Sequence, residues 1–272
     1  MIRRLAIALW LVLVFGFLTA PLIVVAGASF GAGGRTAMID FPPRALTWHW
    51  YFAIPADQLH ALALSVGLAL CCAAAAALLG VPAALGIVRG ALPGRRVIAA
   101  LFRLPLQIPA VVVGVSFLQL YYIAGDAVGV PLVGSFWGLA TAHLFIALPY
   151  VVGSVVAVLN RFNPRLEEAA LILGAGRWST FRRVTLPIIT PGVFAGAIYA
   201  FMVSFSDLPV SLFLAGQGFV TFPVAIFQSL DYDFSPSLLA LSTLIIAFSF
   251  ASMVAVQRSI GLTTMLQTGG SK

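Results

Sequence analysis

The chain has 272 residues, 61% of them hydrophobic and 8% charged, with a mean hydropathy of +1.08. A soluble domain of this length carries about three times that share of charge, which excludes that class and leaves an integral membrane protein of one membrane domain. The net charge of +7 does not point to nucleic acid, because the basic residues stand at the ends of apolar runs, where orientation signals belong.

Taken in order, Arg3 and Arg4 precede an apolar run from Leu5 to Ala28. That run is longer than the roughly 7–15 residues of a signal-peptide core, so residues 1–28 are expected to be an uncleaved first transmembrane helix. Residues 29–60, with Pro42-Pro43, Trp48, Trp50 and Tyr51, form an outer loop whose aromatics suit the headgroup level. Ala61 to Val88 is the second span, and the adjacent Cys71 and Cys72 inside it read as small core residues. A tight basic turn, Arg89 to Arg96, leads to a third span over Val97–Ala124. Pro105, Pro109 and Gly114 predict a kinked or broken helix there. Gly125–Gly134 is a short outer loop, and Ser135–Leu159, with His143 and Pro149, is the fourth span.

The stretch Asn160–Pro191 is the one long polar segment, with both glutamates of the chain and five of its fifteen basic residues. Asn163 before Pro164 is a helix start, and Glu167 and Glu168 fall in the first turns, where the helix dipole favours negative charge. Gly174-Ala175-Gly176 is a stop, after which Arg177–Leu186 is expected to form a second short helix ending at Pro187. Ile188–Ala215 is the fifth span, opening with the small-residue face Gly192…Gly196. Gly216–Pro236 suggests a re-entrant or interfacial piece, Ser237–Gln257 is the sixth span, and residues 258–272 are a tail.

Six spans with both termini in the cytoplasm put Arg3, Arg4, Arg89, Arg95, Arg96, Arg103, Arg161, Arg165, Arg177, Arg182, Arg183, Arg258 and Lys272 inside. Only Arg35 and Arg44 lie outside. With the two glutamates inside and the six aspartates outside, the balance is +11 against −4, which satisfies the positive-inside rule. The polar stretch then faces the cytoplasm.

That stretch also carries a resemblance. Glu168, Ala169 and Ala170, then Gly174, then Val184, Leu186 and Pro187 stand at the spacing of the EAA loop of ABC importer permeases. The one departure is Val184 where the pattern has isoleucine. The resemblance implies an all-α integral membrane protein of six transmembrane helices with the type I permease fold. The permease core would be residues 61–257, with the coupling loop at 160–187. In that family the loop docks on a cytoplasmic ATPase. The implied partners are a second permease subunit, identical or different, two ATPase subunits, a periplasmic substrate-binding protein and membrane lipid. ATP and magnesium would be bound by the ATPase, with no cofactor in this chain. An ordinary interfacial amphipathic helix is the plainer reading, but it has no need of small residues beside Glu168 or of a glycine at fixed distance.

Other chemistry is sparse. There is no phosphate-cradling loop of the G-x-x-x-x-G-K-[ST] type, and His49, His60 and His143 have no ligand spacing around them. Asp207, with Ser204 and Ser206, lies on the fifth span. A charge at mid-bilayer costs about 2.5–3.5 kcal/mol, so Asp207 is expected either on a watery substrate pathway or as a helix cap near the surface. This region, with Phe213-Leu214-Ala215-Gly216 and Phe222-Pro223, resembles spermidine/putrescine-type permeases, although that group often has two adjacent acidic residues where Ser206-Asp207 stands here. The expectation is the inner-membrane permease of a binding-protein-dependent importer, non-enzymatic, with a polyamine or similar small solute as cargo. Permeases for iron or phosphonate-type solutes and an ion-coupled secondary transporter are the alternatives. The latter needs paired repeats and acidic relays that are not evident.

Overall fold

The computed structural model describes residues 2–32, 41–91, 93–129, 131–216, 218–232 and 236–251. Among them, regular structure is helical throughout, with two isolated bridges and no strand. Two units are each compact, one of residues 1–59 and 226–272, the other of residues 60–225.

In the first unit, α1 (Ile2–Ala28) is an unbroken apolar helix. At about 1.5 Å per residue it outspans a hydrocarbon core of about 30 Å. None of its apolar window is buried within the chain. The segment after it is tied by polar tips on aromatic bodies. The Tyr51 hydroxyl lies 2.6 Å from Ser29 Oγ, and Trp50 Nε1 donates to the Gly31 carbonyl at 2.9 Å. Phe30 packs edge-on against Trp48, 4.8 Å between centroids. A one-turn helix, α2 (His49–Phe52), carries two of these aromatics.

The second unit holds most of α3 (Ala56–Arg89), then α4 (Arg95–Leu101), α5 (Ala110–Val128), α6 (Phe136–Leu159), α7 (Arg165–Ile172), α8 (Arg177–Thr180), α9 (Leu186–Ser206) and α10 (Pro209–Leu214). Ser135 starts α6 by accepting the Gly138 amide at 3.1 Å. α11 (Phe222–Tyr232) and α12 (Pro236–Ala251) follow.

α6 is the axis of this unit. Leu139, Ala142, His143, Ile146, Ala147, Val151, Val155 and Leu159 recur every three or four residues and are buried. Against them lies α9, whose buried positions Gly192, Gly196, Ala200 and Ser204 repeat every four residues. The fit is close enough that a Cβ on Gly196 would stand 2.7 Å from the Val151 Cα, and one on Gly192 2.8 Å from a Val158 methyl. Lipid tails are as apolar as leucine, so helices in a bilayer associate through such contacts rather than through hydrophobic burial.

Three expectations change in detail. The third span is a bent pair, Arg95–Leu106 and Ala110–Gly125, turned by 100°. Pro105 and Pro109 each withhold an amide, and Pro109 is extended with ψ 132°, so the helix cannot run through Gln107–Pro109. The second short helix of the polar stretch does not end at Pro187. α8 continues through a wide π-turn, Phe181–Thr185, directly into α9, giving one helical run over Arg177–Ser206. The wide turn opens the backbone just ahead of Pro187, which sits in the first turn of α9 and loses little by lacking an N–H. The run then breaks at Asp207, so residues 209–214 form the separate α10 rather than the end of the fifth span.

Among the described residues, four helices are long and apolar enough to cross a membrane, or five with the bent pair taken as one span. α12 is a further apolar helix, of which the expected residues 252–257 lie outside the described residues, as does the tail 258–272. The expected re-entrant region contains α11, eleven residues long and too short to cross.

The contact at Gly196 yields a direct expectation. Gly196→Leu forces a side chain into the Val151 backbone and should lower stability by about 1–3 kcal/mol, read as a lower midpoint of thermal unfolding in detergent. Gly67→Leu, whose added Cβ meets nothing within 4 Å, should fall much less.

Candidate functional site

The loop after α6 is built from local rules. Asn163 Oδ1 accepts the Arg165 amide at 3.1 Å and starts α7, with Glu167 and Glu168 in its first turn. α7 ends in a Schellman turn: Gly174 has φ +85°, its amide donates to Leu171, and the Ala175 amide donates to Ala170. Such a positive φ favours glycine. A side chain there would meet nothing within 4 Å inside this chain, so what favours glycine at this position within the chain is the backbone geometry.

The seven residues of the sequence motif divide between two surroundings. Glu168, Ala169 and Gly174 are exposed, and Ala170 is half-buried. Val184 and Leu186 are half-buried against the apolar core around α6, while Pro187 is exposed. Around the turn, Ile172, Leu173 and Trp178 are 86%, 87% and 72% exposed, with the exposed Arg177, Arg182 and Arg183 nearby in sequence. Large apolar side chains so open on a polar loop mark an interaction surface.

Glu167, one residue before the motif, turns inward. Thr185 Oγ1 donates to Glu167 Oε1 at 2.6 Å, and Arg89 Nε, at the end of α3, stands 3.6 Å from Oε2. The Arg89 guanidinium lies over the Phe162 ring at 5.0 Å. Arg89 and Thr185 were not among the residues the sequence singled out. Arg89 reads there as one more orientation signal, and Thr185 as the variable position inside the motif.

At the other end of α9 is a buried polar cluster. Asp207 Oδ2 accepts the Ser211 amide at 2.9 Å and the Ser211 hydroxyl at 3.3 Å, capping α10. With that proton committed, Ser211 Oγ accepts from His143 Nε2–H at 3.0 Å, and His143 Nδ1 accepts the Ser204 hydroxyl at 2.9 Å. One tautomer of His143 thus satisfies every group, the arrangement buried polar atoms require. His143 and Ser211 are fully buried, Ser204 and Asp207 nearly so. Of the three expected pathway residues, Ser204 and Asp207 meet in this cluster. Ser206 faces out, its hydroxyl turned back to the Met202 carbonyl at 2.8 Å.

Residues 76–261 match the family described as binding-protein-dependent transport system inner membrane component. The chain belongs to this family. It is 33% identical over 240 residues to the putrescine transport system permease protein PotI of Escherichia coli (strain K12), covering 87% of this chain and 84% of that protein. It is 29% identical over 246 residues to the spermidine/putrescine transport system permease protein PotC of Haemophilus influenzae, covering 90% and 92%. Among solved structures it is similar to a bacterial ABC transporter involved in the import of the acidic polysaccharide alginate. The TM-score is 0.73 over 96% of this chain and 95% of that one, at 13% identity. That likeness speaks for the fold alone, which is the all-α permease fold. The chain is therefore a multi-pass permease of the ABC importer class.

Two substitutions test the buried cluster. His143→Leu takes the acceptor from the Ser204 hydroxyl and the donor from Ser211 Oγ in a buried site, and should cost about 1–3 kcal/mol, seen as a lowered unfolding midpoint. Asp207→Asn keeps an acceptor for the Ser211 amide, so uptake by reconstituted permease should be unchanged. Reduced uptake at subsaturating solute, with assembly intact, would assign the carboxylate to the cargo route instead.

Proposed function

We propose that this permease forms one half of the translocation pathway of a polyamine importer, with both termini in the cytoplasm. The loop 160–187 docks on an ATPase subunit that binds and hydrolyses ATP with magnesium. A second permease subunit, two ATPase subunits and a periplasmic binding protein complete the assembly. The observation that carries the docking role is the exposed face around Gly174. A rigid turn presents Glu168, Ala169, Ile172, Leu173 and Trp178 outward on a segment otherwise fixed to the membrane helices. Small Ala169 beside large apolar neighbours suits close insertion into a cleft, where buried aromatic and aliphatic anchors dominate binding. Polyamine as cargo is supported by the names of the relatives above. Closure of the ATPase pair would move the docked loops and rock the spans about the pathway.

Gly174→Val places a β-branched residue at φ +85°, costing about 1–2 kcal/mol in the turn. Glu168→Lys reverses the charge at the α7 start. Both variants should reach the membrane at wild-type abundance, yet retain less ATPase on purification and import less putrescine into reconstituted vesicles. Wild-type retention and uptake in both would remove the loop from the coupling role. Uptake of ferric iron or a phosphonate in place of putrescine would reassign the cargo.

Orientation has its own test. In a background lacking Cys71 and Cys72, Phe52→Cys and Ile172→Cys both put a thiol at a site more than four-fifths exposed. An impermeant maleimide applied from the periplasmic side should label the first and spare the second, and labelling of both would overturn the six-span arrangement.

A further inference from the structure

Glu167, Arg89 and Thr185 bring three elements to one point: the loop helix α7, the end of α3, and the π-turn that leads into α9. Phe162, just beyond α6, supplies the ring under Arg89 and adds a fourth. We propose that Glu167 is a positioning residue that ties α7 to these helix ends, so that displacement of the loop is passed to α3 and α9 together. The proposal rests on the loop being the docking element.

The case is physical. Beside its packing on α8 and the π-turn, α7 reaches the membrane helices through two flanking turns, at 160–164 and at 173–176. A short helix carried on two turns can tilt about them when pushed. A side-chain anchor in its first turn removes that freedom. Glu167 suits the part because the two groups it meets come from different helices. A hydroxyl donor to a carboxylate at 2.6 Å is of the strong, charge-assisted kind. The pairing with Arg89 is shielded too, the two side chains being 23% and 26% exposed. Arg89 needs this anion. Its Nε and Nη2 atoms are buried without a hydrogen-bond partner among the described residues, and Glu167 is the carboxylate at its side. Without Glu167, the guanidinium is left half-buried on an aromatic ring with no counter-charge, the circumstance in which breaking a pair is most felt.

The test has one arm on the purified permease alone and one on the assembled importer. Glu167→Gln keeps an acceptor for Thr185 and removes only the charge, Thr185→Val removes only the hydroxyl, and Arg89→Gln removes the cation. In the permease alone, amide exchange over residues 165–172 should quicken about fivefold in each variant. The Arg89→Glu, Glu167→Arg exchange of charges should restore part of the protection, which a general loss of stability would not do. In the assembled importer, the same single variants should keep the ATPase bound yet hydrolyse several times more ATP per putrescine imported. Wild-type exchange in all three would overturn the tie. Faster exchange with a wild-type ratio of hydrolysis to uptake would overturn its role in transmission. Wild-type ATPase retention and uptake in the Gly174→Val and Glu168→Lys variants would instead overturn the docking reading, while the exchange data still judge the tie.

Discussion

The unit built on α6 depends on a stripe of small residues. Gly192, Gly196, Ala200 and Ser204 recur every four residues on α9, and each removes side-chain volume where α6 passes. In water, a large apolar residue at these positions would add burial. In a bilayer that gain vanishes, because lipid already solvates apolar groups, and what remains is contact density and hydrogen bonding. Removing side chains lets the α6 and α9 backbones approach until Gly196 meets the Val151 Cα. That approach positions both polar stations of the unit: the His143 cluster where the stripe ends at Ser204, and the Glu167 tie near its start.

The two stations differ in kind. In the His143 cluster each donor has an acceptor, the groups are almost wholly buried, and one tautomer fits the set. A satisfied network in a low-dielectric interior is stiff, since any displacement exposes an unpaired group to hydrocarbon. It sits where the helical run breaks, and it fixes how α10 leaves α9. The Glu167 tie is shorter of bonds. It is half-buried, its ion pair spans 3.6 Å, and Arg89 has donors to spare. Such a contact is less enclosed than the cluster, yet it joins three elements at one point through a 2.6 Å hydroxyl–carboxylate bond and an ion pair.

Much of this was legible in the sequence, and the reasons are specific. Gly174 was readable because only a left-handed turn explains a glycine pair after eight helical residues, and φ +85° agrees. The Gly192…Gly196 face was readable from four-residue spacing alone. The break in the third span followed from Pro105 and Pro109. The bounds of the fifth span were not readable, because Pro187 looks like a stop and a π-turn leaves no compositional mark. Nor were the partners of Glu167 and His143: Arg89 is 78 positions from Glu167 in the chain, and Ser211 is 68 from His143. Charge pattern reports which side of the membrane a residue occupies, and contact between spans is decided by packing that a single sequence does not state.

Asp207 shows how far a local argument carries. The cost of a charge in the bilayer required either water or an N–H donor beside it, and both a pathway and a cap met that requirement. The geometry supplies the donors from Ser211, four residues on, with His143 Nε2 3.8 Å away as a further polar neighbour. A carboxylate so committed gives the helix break its definition. The permease thereby gains a fixed bend at the end of a helical run that begins in the polar loop. Under the proposed docking role, displacement entering at α7 would be delivered along α9 to a set angle at its far end.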